Sequence, residues 1–326
     1  MTHEQAASRR GQGGTPADDW VEVIEVGTRD GLQIERYVVP AARKIEIIND
    51  MIDAGLRSIE VTSFVSPKAV PQLADAAEVL AGVRKKPDTY LMALVPNLKA
   101  AERAAQTPLD GGVLLCSASE THNRKNLNRG IGDSLAGFPE VAGRLREAGI
   151  DVLGGMATVF GCPFEGEVPV ESVLRIVETY VSLGVSHVGL GDTTGMATPT
   201  NIRRVVRALK AAFPEVQYTL HLHNTRGIGL ANVLVGLEEG VRRFDSSVAG
   251  LGGCPFAAGA TGNICTEDLV YLLHESGYRT GVDLYKAIEV AKKMEQTLGR
   301  QLSGQVMRAG PRLTLHEADA VGTAAG

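Results

Sequence analysis

Eight short apolar runs, each followed by a longer stretch of helical periodicity, occupy the chain from Trp20 onward and restrict it to an α/β architecture. The runs are Val21 to Val26, Ser58 to Thr62, Tyr90 to Val95, Val113 to Cys116, Val152 to Val159, His187 to Leu190, Val216 to Leu222 and Arg243 to Val248. They read as strands buried on both faces of a parallel sheet. Between them, Ala42 to Ala54 sets Ile45, Ile48, Met51 and Ile52 on one stripe, and Pro199 to Ala212 opens with proline directly after Thr198, a helix-start arrangement. Eight strand-then-helix units in roughly 250 residues predict a (β/α)8 TIM barrel. A doubly wound open sheet would carry a glycine-rich nucleotide turn after its first strand, but Gly27-Thr28-Arg29-Asp30-Gly31 lacks the GxGxxG spacing.

Residues 1–18 mix Gly, Gln, Ala, Ser and charges without an apolar period and are expected to be a disordered tail; Glu4 and Asp18 suit a transit peptide poorly. The barrel, with a C-terminal helical extension over Val282 to Leu298, is expected to occupy 19–300. Residues 301–326 are expected to be a polar tail that either caps the barrel mouth or trails free.

Composition narrows the partners. With 44% hydrophobic and 22% charged residues the chain can bury a large core, while 5% aromatics and a net charge of −5 with scattered Lys and Arg argue against a nucleic-acid surface or a polybasic membrane patch. No apolar stretch approaches bilayer length. Cys116, Cys162, Cys254 and Cys265 lack CxxC spacing, so free thiols in a reducing, cytoplasmic setting are expected. The partner is expected to be a small molecule.

In such a barrel the chemistry lies at the carboxyl ends of the strands. Polar residues there are Arg29-Asp30 after the first run, Glu60 near the end of the second, Asp192-Thr193-Thr194 after the sixth, and His221-Leu222-His223 closing the seventh. Residues two apart on a strand share a face, so His221 and His223 present both imidazoles together. A lone HxH is equally compatible with chance or solvent exposure. Asp30 adds a hard anionic oxygen from another strand, and two histidines with one carboxylate suit a divalent ion, Mg²⁺ or Mn²⁺ before Zn²⁺. Arg29 reads either as a plain ion-pair partner of Asp30 or as a holder of developing charge on a substrate oxygen. The run Ala249-Gly250-Leu251-Gly252-Gly253-Cys254-Pro255 has the makeup of a mobile flap around a thiol.

Five segments, RDGLQ (Arg29 to Gln33), TSFVSPK (Thr62 to Lys68), GCPFEG (Gly161 to Gly166), LGDTTG (Leu190 to Gly195) and SVAGLGGCP (Ser247 to Pro255), together resemble the 3-hydroxy-3-methylglutaryl-CoA lyase family, over about Val21 to Leu298. The resemblance implies a metal held by Asp30, His221, His223 and Asn263, Arg29 at a thioester carbonyl, and Cys254 on a loop that closes over substrate. It also implies active-site places for Glu60 and Gln33, substrate contacts from Asp192 and Thr193, and a homodimer. The implied reaction splits the bond between carbons 2 and 3 of 3-hydroxy-3-methylglutaryl-CoA to give acetyl-CoA and acetoacetate, with Arg29 holding the enolate oxygen, Cys254 returning a proton, and His221 or a neighbouring carboxylate removing the hydroxyl proton.

The chain departs from the family pattern at several places. The common HxHDT stands here as His221-Leu222-His223-Asn224-Thr225; Arg226 occupies an expected aromatic position, Phe256 replaces a usual Tyr, and His122 stands where an apolar residue is common. If they line the pocket, His122 and Arg226 are expected to add polarity or positive charge near the acyl group, which keeps a longer or more polar 3-hydroxyacyl-CoA as the near alternative. More distant readings are an acetyl-CoA-dependent condensing synthase, against which Gly252-Gly253-Cys254 speaks, a non-haem iron oxygenase with the same ligand set, and a non-catalytic binding protein.

Overall fold

Among the described residues, 19–253 and 262–315 of a computed structural model, eight parallel strands close in chain order into a barrel, the first pairing with both the second and the eighth. They are β1 (Glu22–Glu25), β2 (Ser58–Ser63), β3 (Tyr90–Leu94), β4 (Gly111–Ser117), β5 (Asp151–Ala157), β6 (His187–Asp192), β7 (Gln217–Leu222) and β8 (Arg243–Ser246). Each falls on one of the eight apolar runs, and the closed TIM barrel excludes the open sheet.

Helices follow the strands: α1 (Ala41–Asp53), α2 (Ala76–Gly82), α3 (Leu98–Ala104), α4 (Glu120–Leu127), α5 (Ile131–Glu147), α6 (Val170–Ser182), α7 (Pro199–Ala212), α8 (Gly229–Glu238) and α9 (Thr266–Glu275), with α10 (Leu284–Leu298) beyond the eighth unit. α7 begins where Thr198 and Asn201 cap each other, the Thr198 Oγ1 accepting from the Asn201 N–H at 3.3 Å and the Asn201 Oδ1 accepting from the Thr198 N–H at 2.7 Å. It buries Ile202, Val205, Val206 and Leu209, one stripe at helical spacing. On α1 the buried stripe is Lys44, Ile47, Ile48, Met51 and Ile52. Ile45, expected in the core, is half-buried at its edge, and a lysine stands inside.

The main core lies between strands and helices, whereas Ile24, Val26 and Met92 form a small separate cluster with Tyr90 and Leu153 inside the barrel. At the amino ends of the strands Glu22 pairs with Arg243 and accepts from Ser58, and the Tyr90 hydroxyl donates to Asp151 at 2.9 Å. A polar floor and an apolar middle layer leave the carboxyl ends as the open, reactive side.

The stretch from 301, expected as a tail, starts as packed structure. Leu302, Val306 and Met307 are buried, α11 (Val306–Ala309) adds one turn, and the Gln305 and Val306 N–H groups donate to Asp268 on α9. The Ser303 N–H donates to the Ala249 carbonyl at 3.2 Å, so this segment rests on the turn after β8. No helix among the described residues is long and apolar enough to cross a membrane.

Candidate metal centre

Strand alternation and a short bridge bring four expected ligands together. His221 faces the barrel interior on β7, opposite Asp245 on β8 in register, and His223 follows two residues later on the same face. Asp30 lies in a five-residue π-type turn, Gly27–Gly31, directly after β1, where the Asp30 N–H donates to the Val26 carbonyl at 2.8 Å. Asn263 arrives from far along the chain because its backbone forms an isolated bridge with His223, flanked by the Asn224 N–H on the Gly262 carbonyl and the Ile264 N–H on the Leu222 carbonyl, both 3.0 Å.

The Nε2 atoms of His221 and His223 are 3.2 Å apart and lie 3.8 and 3.7 Å from the Asp30 Oδ2. Three donor atoms at these separations match neighbouring ligands around one ion bound at roughly 2.1–2.2 Å. The Asn263 amide donates to Asp30 Oδ2 at 2.8 Å and to the Leu251 carbonyl at 3.2 Å, while its Oδ1 is buried without a hydrogen-bond partner. Two imidazoles and a carboxylate this close together are a donor set that a divalent ion satisfies, and the unpartnered Asn263 oxygen is a further group able to serve one. Gly252, at φ +112°, closes the cradle: a Cβ there would meet the Asn263 amide nitrogen at 2.8 Å and Asp30 Oδ2 at 3.5 Å.

Arg29 bridges two carboxylates, its Nη1 donating to Asp30 Oδ1 at 2.6 Å and its Nη2 to Glu60 Oε2 at 2.8 Å. Its Nε and the Glu60 Oε1 are buried without partners, leaving one donor and one acceptor beside the metal set. Burial favours the neutral form of Asp30, but Arg29, His221, His223 and the Asn263 amide outweigh it and hold the carboxyl well below its usual range. At Glu60 burial wins over Arg29 and the carboxyl is raised. At His221 burial, which opposes the charge, is outweighed by Asp245 and Asp30, and the imidazole is raised.

Asp192, at the end of β6, accepts from the Met196 and Ala197 N–H groups at 2.7 and 2.8 Å through Oδ1, and its Oδ2 is buried and unpartnered. Burial pushes it up to about 7 against those two bonds. Thr193 accepts from the Thr158 N–H at 3.0 Å, tying the loops after β5 and β6. Gln33 is half-buried on the 3-10 turn Leu32–Ile34.

Two pocket-wall expectations take a different form. Arg226 is exposed and donates through Nη1 to the Thr194 and Gly195 carbonyls at 3.2 and 2.7 Å, so it ties the loop after β7 to the loop after β6. His122 is buried, 2.6 Å from Ser117 Oγ through Nδ1 and stacked on Phe164, and burial pushes it down to about 4. It therefore contributes polarity and no positive charge at neutral pH. Cys254 and Phe256 lie outside the described residues.

Three acids at the site escape a reading of the sequence. Asp245 sits inside an apolar run, its Oδ2 3.0 Å from His221 Nδ1. Glu25 accepts from the Gly27 and Val248 N–H groups at 2.6 and 3.0 Å and from the Thr266 hydroxyl at 2.6 Å; Glu267 accepts from the Ala249 N–H at 3.0 Å. These two buried carboxyls fix the turn after β8, where Ala249 is held at φ 56°. The only local signal was a charged residue within an otherwise buried segment.

The profile of the HMGL-like family matches residues 20–294. The chain belongs to the HMGL-like family. It is 43% identical over 282 residues to hydroxymethylglutaryl-CoA lyase YngG of Bacillus subtilis, covering 86% of this chain and 94% of that protein. It is 41% identical over 289 residues to a 3-hydroxy-3-isohexenylglutaryl-CoA/hydroxymethylglutaryl-CoA lyase of Pseudomonas aeruginosa, covering 89% and 96%. Among solved structures, an HMG-CoA lyase from Acinetobacter baumannii in complex with coenzyme A and 3-methylmalate superposes with a TM-score of 0.89 at 45% identity, covering 93% of this chain and 99% of that one. The family is metal-dependent, and Asp30, His221 and His223 form a possible metal site in this chain.

Proposed function

We propose that this chain is a 3-hydroxy-3-methylglutaryl-CoA lyase, cleaving its substrate to acetyl-CoA and acetoacetate. The observation that carries the reading is the convergence of Asp30, His221 and His223, with ligand atoms all within 4.8 Å of one another, beside the doubly anchored Arg29. Lyases at 41–43% identity over most of the chain support it. The longer or more polar acyl group is not favoured, since His122 adds no charge and Arg226 is taken up by backbone carbonyls.

Asp30, His221, His223 and the Asn263 carbonyl oxygen would hold the ion, and hard oxygens from two of them favour Mg²⁺ or Mn²⁺. When bound, the ion polarises the substrate's 3-hydroxyl and acidifies it. His221 has both ring nitrogens engaged, Nδ1 on Asp245 and Nε2 toward the ligand set, which leaves the proton to a neighbouring carboxylate. Asp192, with a free buried oxygen and an acidity near neutral, suits that base role. As the hydroxyl proton leaves, carbon 3 becomes a ketone, the bond to carbon 2 breaks, and its electron pair passes into the thioester half as an enolate. Arg29 holds that oxygen's charge. Carbon 2 then regains a proton, for which the sequence offers the Cys254 thiol.

Anaerobic incubation with 3-hydroxy-3-methylglutaryl-CoA and Mg²⁺ or Mn²⁺, read by mass spectrometry, is expected to give acetyl-CoA and acetoacetate in equal amounts. Turnover that needs dioxygen and Fe²⁺, or none in a folded, metal-loaded protein, would overturn the reading. Cys254→Ala is expected to slow turnover without unfolding the chain, and an unchanged rate would remove the thiol from the scheme.

A further inference from the structure

Lys44, in the first turn of α1, is 1% exposed, a cation taken out of water inside an apolar helix face. Its Nζ donates to both oxygens of Asp75 at 2.8 and 2.9 Å and to the backbone carbonyl of Gln72. Asp75 stands at the N-cap of α2 yet makes no capping hydrogen bond, because its carboxylate is turned onto Lys44. Asp75 is half-buried, and an apolar side chain of similar volume would pack α1 as well as the buried Lys44 does. What it would lack is the bond to Gln72.

That bond starts a chain of contacts across the barrel mouth. Gln72 lies on the 3-10 turn Pro71–Leu73, and its Nε2 donates to the carbonyl of Glu35. The Glu35 carboxylate pairs with Arg300, just beyond α10. Lys44 thereby ties together the segment after β2, the strand that carries Glu60, and the turn after β1, which carries Arg29, Asp30 and Gln33.

We propose that Lys44 is a positioning residue that sets the loops after β1 and β2 against each other and so governs substrate binding rather than the cleavage step. The inference rests on the lyase reading, in which Gln33, two residues before the tethered Glu35, meets the substrate, while Arg29 and Asp30 keep their own bonds to Glu60 and Asn263. The double variant Lys44→Met/Asp75→Leu removes both charges, so no stranded ion confuses the outcome. Its KM is expected to rise roughly tenfold with kcat within about twofold and Mn²⁺ affinity unchanged. Amide hydrogen exchange is expected to quicken at residues 32–36 and 64–75. Unchanged KM and exchange would overturn the proposal, as would a parallel loss of kcat and Mn²⁺ affinity, which marks a general structural role. Exchange in the two segments decides the tether even if the unmodified protein fails to cleave 3-hydroxy-3-methylglutaryl-CoA, an outcome that would overturn the lyase reading itself.

Discussion

Asp245 Oδ2 lies 3.0 Å from His221 Nδ1, on the side of the ring away from His223, so the carboxylate fixes which imidazole nitrogen is presented to the ligand set. Carboxylates in this position typically govern metal affinity by one or two powers of ten. Asp245→Ala is expected to weaken Mn²⁺ binding roughly 10–100-fold in a calorimetric titration, with the fold retained. Unaltered affinity would remove Asp245 from the site.

Arg29 sits between Asp30 and Glu60 with its Nε unpartnered. Losing a donor to a developing oxyanion costs on the order of 3 kcal/mol in the transition state, so Arg29→Gln is expected to lower kcat by roughly 100-fold or more. Metal content, read by elemental analysis, should stay near one ion per chain. A variant with near-normal kcat would exclude Arg29 from the chemistry.

Asp192 is pushed up to about 7 by burial, so its basic form is depleted as pH falls through that value. The rate is expected to decline on the acid side of neutrality. Asp192→Asn keeps an oxygen for the Met196 and Ala197 N–H groups and should fold normally while kcat drops roughly 100-fold or more. If the variant instead turns over at the normal rate, the base is elsewhere.

Glu25 and Glu267 are held up at about 7 and about 8 by burial, from an ordinary 4.5. In the fold they prefer to be protonated, so the stability tied to them is complete below about 4.5, the unfolded value, and is lost as pH rises through the folded values. Tm is expected to fall between about pH 5 and about pH 8, and Glu25→Gln/Glu267→Gln should flatten that decline. A double variant with the same slope would show that these carboxyls do not carry it.

The barrel was legible because each strand is a run of apolar residues and each helix a stripe, patterns that local packing enforces. α7 starts at Pro199 as its sequence requires, and β7 ends on the paired histidines. Less legible were residues whose role depends on a distant partner. Asp245 reads as a lone charge in a strand until His221 stands beside it, and Glu25 and Glu267 gain meaning only from the N–H groups of Val248 and Ala249. Arg226 reads as a pocket cation until two loop carbonyls claim it, and His122 loses its expected charge to burial. Lys44 was hidden on a helix whose apolar period predicts only core.

Carbon–carbon cleavage is expected to follow the ion that Asp30, His221, His223 and Asn263 are proposed to hold. Metal-stripped protein would be titrated with Mn²⁺ while bound ion and acetyl-CoA release from 3-hydroxy-3-methylglutaryl-CoA are recorded together. Cleavage rising in proportion to occupancy and saturating at about one ion per chain is the expected result. Full cleavage by the metal-free protein, or an occupied site without cleavage, would contradict it.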